Sequence, residues 1–142
     1  VLMVVGTQYV LQGQYSPLSL LAAVVPFFLV NNLLLLNQYP DIEADRDAGR
    51  RHFPITYGTA TSTVVYGFFV LLTIATIVAG VLSGYFPRLS LVALLPMSLA
   101  FYVMRGAIRH GAAIGDYPRY LGANVAVVLL TTLLLGVSLV LG

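Results

Sequence analysis

Asn37–Phe53 reads NQYPDIEADRDAGRRHF, and within seven positions it holds four of the chain's five acidic residues: Asp41, Glu43, Asp45 and Asp47. A long apolar segment precedes the cluster, and Arg50 and Arg51 follow it. Asn37, Asp41 and Asp45 are spaced i, i+4, i+8, which on one helix makes a single stripe. Two carboxylates about 6 Å apart repel by roughly 3 kcal/mol at an effective dielectric near 20. A divalent cation relieves that repulsion. Magnesium suits the donors, because it takes one or two carboxylates, keeps several waters and completes its shell with phosphate oxygens. The forked donors of Arg50 and Arg51 suit the same phosphates. An EF-hand calcium loop does not fit: Arg46 stands where glycine is required and His52 where the closing Glu belongs. The plainer reading is a solvated loop at headgroup level, with Arg46, Arg50 and Arg51 touching anionic lipid.

Working outward, the rest of the chain is built for hydrocarbon. It is 59% hydrophobic and 8% charged, with no Lys, Cys or Trp and a mean hydropathy of +0.93. A soluble domain of 142 residues would show more charge on its surface, so an integral membrane protein is expected. The missing cysteines exclude disulfides, Cys-ligated zinc and thiol catalysis. Complete spans are expected at about 18–36, 64–82, 89–104 and 121–141, with Pro26 kinking the first and Pro96 inside the third. Residues 1–11 are too short to span. They are expected to be the end of a helix that begins upstream rather than a secretory signal, having neither a basic n-region nor a small-residue cleavage site. The fold class is all-α, a polytopic transmembrane bundle in a single domain.

The arginines set the orientation. Arg46, Arg50 and Arg51 follow the first full span, and Arg105, Arg109 and Arg119 precede the last, leaving only Arg88 on the other side. That bias puts both loops in the cytoplasm, and with them all five acids, Asp116 included. No nucleic-acid partner is expected.

The Asn37–Phe53 run resembles the second aspartate-rich motif of the UbiA-type intramembrane prenyltransferases, NxxxDxxxD followed by Gly and basic residues. Asn37, Asp41, Asp45, Gly49, Arg50 and Arg51 match that pattern in order. The flanks agree with the helix before the motif helix and with the three spans that close the family's nine-helix fold, so the chain resembles the C-terminal half of such an enzyme. The resemblance implies a helical bundle around a cavity open to the cytoplasm and to lipid. It also implies Mg2+ bound between two aspartate-rich motifs, a polyprenyl diphosphate donor, and an aromatic acceptor that captures the allylic carbocation. Asp41 and Asp45 would be metal ligands and catalytic, and Asn37, Arg50 and Arg51 would serve the diphosphate. Within the family the run is most similar to members that prenylate 1,4-dihydroxy-2-naphthoate in menaquinone biosynthesis, at the plasma membrane. Tyr57 departs from them, standing where a more basic or aliphatic residue is expected.

A first aspartate-rich motif is not present, since Asp116 stands alone, and the chain by itself is expected to be inactive. Asn31, Asn32 and Asn124 face the cavity or bond a neighbouring helix. Tyr102, Tyr117 and Tyr120 either stabilise a carbocation through their ring faces or anchor at the interface. His52 and His110 have no ligand-spaced partner and are expected at the interface. The competing class is a non-catalytic membrane module or transporter segment holding a cation or anionic lipid. Transporters place functional polar groups at the midplane of broken helices, whereas these acids end a span, which favours the enzyme.

Overall fold

The computed structural model describes all 142 residues. Six α-helices follow in chain order: α1 Leu2–Gln12, α2 Pro17–Asn37, α3 Ile42–Asp47, α4 Phe53–Leu82, α5 Met97–His110 and α6 Pro118–Leu141. Two 3₁₀ segments, Arg88–Leu94 and Gly111–Asp116, flank α5, and there is no strand. The fold is therefore an all-α polytopic bundle. Four segments are long and apolar enough to cross a membrane, Pro17–Asn37, Phe53–Leu82, Arg88–Asp116 and Pro118–Leu141. At 1.5 Å per residue, the 21 residues of α2 reach about 32 Å.

Proline and glycine set the boundaries. Ser16 caps α2 by accepting from the Ser19 amide at 3.2 Å, with Pro17 at the first helical position. Helical backbone continues through Pro26. The third span is two pieces rather than one helix over 89–104. Pro96 cannot donate a backbone hydrogen bond, so the chain passes from the 3₁₀ segment into a helix that starts at Met97 and runs on to His110. Within α4, Gly58 has φ 81 and ψ 163, a backbone region open only to glycine. A short helix therefore ends there and a long one begins, and helix extends back to Phe53 instead of starting near residue 64.

The core runs through α2, α4, α5 and α6, from Val25, Leu29 and Leu36 across Tyr66 and Ile77 to Val103, Val127 and Leu135. Large apolar residues such as Leu34, Val64, Leu71, Ile108 and Leu129 point outward. A soluble monomer seldom exposes so much contiguous apolar surface, whereas lipid accepts it. Since lipid tails are as apolar as Leu, close packing and polar contacts hold such helices together. Tyr120 lies flat against Gly106, and the Ser90 and Ser138 hydroxyls meet at 2.9 Å.

One polar network ties three helices together. Asn32 Nδ2 donates to the Tyr66 carbonyl at 3.0 Å, Tyr66 Oη donates to Asn124 Oδ1 at 2.9 Å, and Asn124 Nδ2 reaches the Asn32 carbonyl at 3.5 Å. Asn32 and Asn124 are thus helix ties between α2, α4 and α6. Asn31 bonds only its own helix, at the Phe27 carbonyl. Tyr66→Phe removes the donor to Asn124 and is expected to cost about 1 kcal/mol, read as a lower SDS midpoint in mixed-micelle unfolding. Tyr85→Phe, at an exposed site, is expected to leave the midpoint unchanged.

Candidate functional site

The connection from α2 to α4 and the connection from α5 to α6 meet at one end of the bundle. A Cβ on Gly115 would lie 2.9 Å from Pro40 Cβ, and one on Gly111 would lie 3.4 Å from Thr59 Oγ1. All five acids and six of the seven arginines belong to this end, while Arg88 begins the 3₁₀ segment at the other.

The acidic run is not one continuous helix. α2 stops at Asn37, and Tyr39 N bonds the Leu36 carbonyl at 3.1 Å in a tightened last turn. The cause is Pro40, which lacks an amide hydrogen and pushes the residue before it out of the α region. Asn37, exposed at the end of α2, is therefore separated from the acids by a turn. Asp41 and Asp45 do share a face: Asp45 N donates to the Asp41 carbonyl at 2.8 Å, the i→i+4 spacing of one helical turn. Asp41 sits at the N-cap of α3 with an exposed carboxylate that caps nothing.

Gly49 then folds the chain back. Its φ of 76 ends α3 in a Schellman motif, with Arg50 N to the Asp45 carbonyl at 2.9 Å and Gly49 N to the Arg46 carbonyl at 3.0 Å. The reversal brings two cationic or polar side chains onto Asp45. Arg50 Nη1 lies 2.7 Å from Oδ1, and His52 Nε2 lies 2.9 Å from Oδ2. The Asp45 side chain is 16% exposed and that of His52 15%, against 71% for Arg50. Arg51 is exposed and makes no ion pair. His52 was not visible as a partner in the sequence, because an i, i+7 contact requires the left-handed turn between the two residues. The glycine at position 49 was its only signal.

Tyr39 joins this turn to α4. Its hydroxyl lies 3.0 Å from the Thr59 carbonyl and 2.9 Å from Thr63 Oγ1. Burial raises its pKa above the usual phenol value, partly offset by the neighbouring hydroxyls of Thr63 and Ser62. On the far side of the same threonines lies a groove of about 580 Å³, bounded by Thr59, Thr63, Phe68, Leu71, Phe101 and Ile108. It starts at the acidic end and continues between α4 and α5 along apolar surface.

The tyrosines of the second connection gather around His110. Its ring centroid is 3.9 Å from Tyr117 and 5.5 Å from Tyr120, and Tyr102 lies 4.8 Å from Tyr120. Arg119 covers the Tyr120 ring at 5.0 Å and the Tyr117 ring at 5.9 Å, so those faces already hold a cation. Arg105 and Arg109 are exposed on α5.

Because no neighbour would obstruct a Cβ at Gly49, replacement there acts through backbone conformation alone. Gly49→Ala is expected to cost about 1 kcal/mol in the left-handed region. The resulting opening should speed deuterium exchange in a 45–52 peptide by roughly fivefold, with α6 peptides unaffected.

The model of the UbiA prenyltransferase family matches residues 1–115, from α1 through α5 and nearly all of the second connection. No curated protein and no solved structure matches the chain. The match takes in the acidic turn and both walls of the groove beside it, and it covers well over half of the 142 residues. The chain belongs to the UbiA prenyltransferase family, and its four apolar spans make it an integral membrane protein.

Proposed function

We propose that this protein transfers a prenyl group from a polyprenyl diphosphate to an aromatic acceptor, with Mg2+ held at Asp41 and Asp45. Family membership carries prenyl transfer in a membrane, from a prenyl diphosphate donor to an aromatic acceptor, in general terms. The observation that carries the specific reading is the pairing of Asp41 and Asp45 on one helical turn, with Arg50 folded back onto Asp45.

No three His, Asp or Glu side chains converge into a protein-only cage. Magnesium does not need one, because it binds through one or two carboxylates and takes waters and phosphate oxygens for the rest. Asp41 offers an exposed carboxylate, and Asp45 offers one whose Oδ1 is covered only by the exposed Arg50. These hard oxygen donors fit an ion that arrives with diphosphate. Bound there, magnesium would neutralise charge developing on the leaving diphosphate. Arg50 and Arg51 add forked donors for the same oxygens, and Asn37, on the last turn of α2, faces the same solvent-exposed end.

The groove between α4 and α5 is the place we assign to the prenyl tail. It begins at the polar end with Thr59 and Thr63 and is apolar from Val64 to Leu71, which suits a charged head and a hydrocarbon tail. For the acceptor, the run from Pro40 to Gly58 favours 1,4-dihydroxy-2-naphthoate and a place in menaquinone synthesis. The excess of arginine at the acidic end favours the cytoplasmic face of the cell membrane for this chemistry. The family's first aspartate-rich motif would complete the metal site, and Asp116 alone does not supply it.

Asp41→Ala and Asp45→Ala, each made in the membrane-embedded protein with the first aspartate-rich motif also present, are expected to lower magnesium-dependent transfer of radiolabelled prenyl by at least 100-fold with normal insertion. Transfer at the wild-type rate by both variants would leave the non-catalytic membrane module as the better reading. Leu71→Trp fills the groove and is expected to slow long prenyl donors at least tenfold more than geranyl diphosphate. Equal slowing of both would place the tail elsewhere.

A further inference from the structure

Asp45 holds different partners on its two oxygens, and the difference in their surroundings suggests a division of labour. Arg50 reaches Oδ1 from solvent, with 71% of its side chain exposed. Ion pairs of that kind contribute little and exchange readily. His52 reaches Oδ2 from a sheltered position, with 15% of its side chain exposed. Its backbone is also fixed. As the N-cap of α4 it has extended geometry, and its carbonyl accepts from the amides of Ile55 and Thr56, both at 3.1 Å. A group anchored at a helix end orients its partner more firmly than one on a loop.

The other ring nitrogen, Nδ1, is buried and has no partner. Asp45 is therefore the only side chain that hydrogen-bonds the His52 ring. An ionised carboxylate only accepts hydrogen bonds, so Nε2 is the donor. With Oδ2 occupied in this way, the lone pairs of Oδ1 are the ones left for a cation.

We infer that His52 is a positioning residue for Asp45, holding Oδ2 so that Oδ1 faces the cation, and that Arg50 is the exchangeable cover which the cation displaces. The inference rests on the metal role proposed for Asp41 and Asp45 and extends it to a residue outside the acidic motif. Displaced from Oδ1, Arg50 keeps its charge at the site and gains a diphosphate oxygen as its partner, so metal and diphosphate reinforce each other's binding. The two side chains then affect bare-metal affinity in opposite directions, which a purely structural role for the turn does not produce.

The test is Mn2+ uptake by the purified protein in nanodiscs, followed by loss of the free-ion EPR signal, with and without a non-reactive geranyl thiodiphosphate. His52→Ala is expected to weaken Mn2+ binding about tenfold. In His52→Gln the amide Nε2 takes the place of the ring Nε2, and affinity is expected to return to within about threefold of wild type. Arg50→Ala is expected to bind Mn2+ alone as tightly as wild type or tighter, and to lose the gain that the thiodiphosphate gives. Wild-type affinity in His52→Ala, no recovery in His52→Gln, or weaker bare-metal binding in Arg50→Ala would overturn the division of labour. Absence of saturable Mn2+ uptake by the wild type, or uptake that survives Asp41→Ala and Asp45→Ala, would instead overturn the metal-site reading beneath it.

Discussion

Hydrocarbon offers no partner to an unpaired backbone group, so a chain this apolar must satisfy its amides and carbonyls within its own helices. Where it leaves the helix beside the acidic residues, local hydrogen bonds or glycine geometry close the break. The turn after α2 is closed by Tyr39 N on the Leu36 carbonyl. α3 ends in the two bonds of the Schellman motif around Gly49. The break at Gly58 is flanked by Ser62 Oγ donating to the Gly58 carbonyl at 2.8 Å and by Tyr39 at the Thr59 carbonyl. These three interruptions lie within 21 residues at one end of the bundle. Here the backbone can bend because water or polar side chains are within reach, and here the charged side chains collect.

What the sequence made legible follows from the strength of each signal. Runs of twenty apolar residues have only one stable environment, so the spans and the fold class could be read from composition and length. The pairing of Asp41 with Asp45 could be read as well, because i, i+4 spacing survives in a helix as short as α3. The membership of Asn37 in the same stripe did not survive. Pro40 outweighs the periodicity that joins them, since the cost of proline in a helix interior, about 3 kcal/mol, exceeds any propensity gain across four residues. Pro96 acts in the same way on the third span. The early start of α4 was hidden for the opposite reason: residues 53–63 carry Thr, Gly and Pro, which read as loop, yet the helix forms because Gly58 absorbs the change of direction.

The electrostatics of the acidic end rest on a similar local accident of geometry. In sequence order the acids precede the arginines and nothing indicates which ones pair. The Schellman turn decides it by returning the chain along α3, so that Asp45 receives Arg50 and His52 while Asp41 stays open to solvent. Two acids four residues apart on one face thus have unlike surroundings. The covered one is held in place with its charge balanced, which reduces its repulsion of Asp41 when no cation is present. The open one keeps its carboxylate in contact with solvent. Both properties follow from a single positive φ at Gly49.

Tyr39 gives the acidic turn a fixed relation to the bundle. It is fully buried, although it belongs to the turn that leads from the apolar α2 into the acidic α3. Its ring packs in the core and its hydroxyl reaches across to α4 at Thr59 and Thr63. By donating to the Thr59 carbonyl at 3.0 Å, the phenol holds the turn to the wall of α4. The same two threonines form the polar mouth of the groove between α4 and α5. One side chain therefore links the carboxylates at the end of the bundle to the apolar channel that leads into it. The proposed placement of a charged head at the carboxylates and a hydrocarbon tail in the groove needs that spacing to be constant. A buried tyrosine bonded to the helix wall supplies it more rigidly than a solvated loop would.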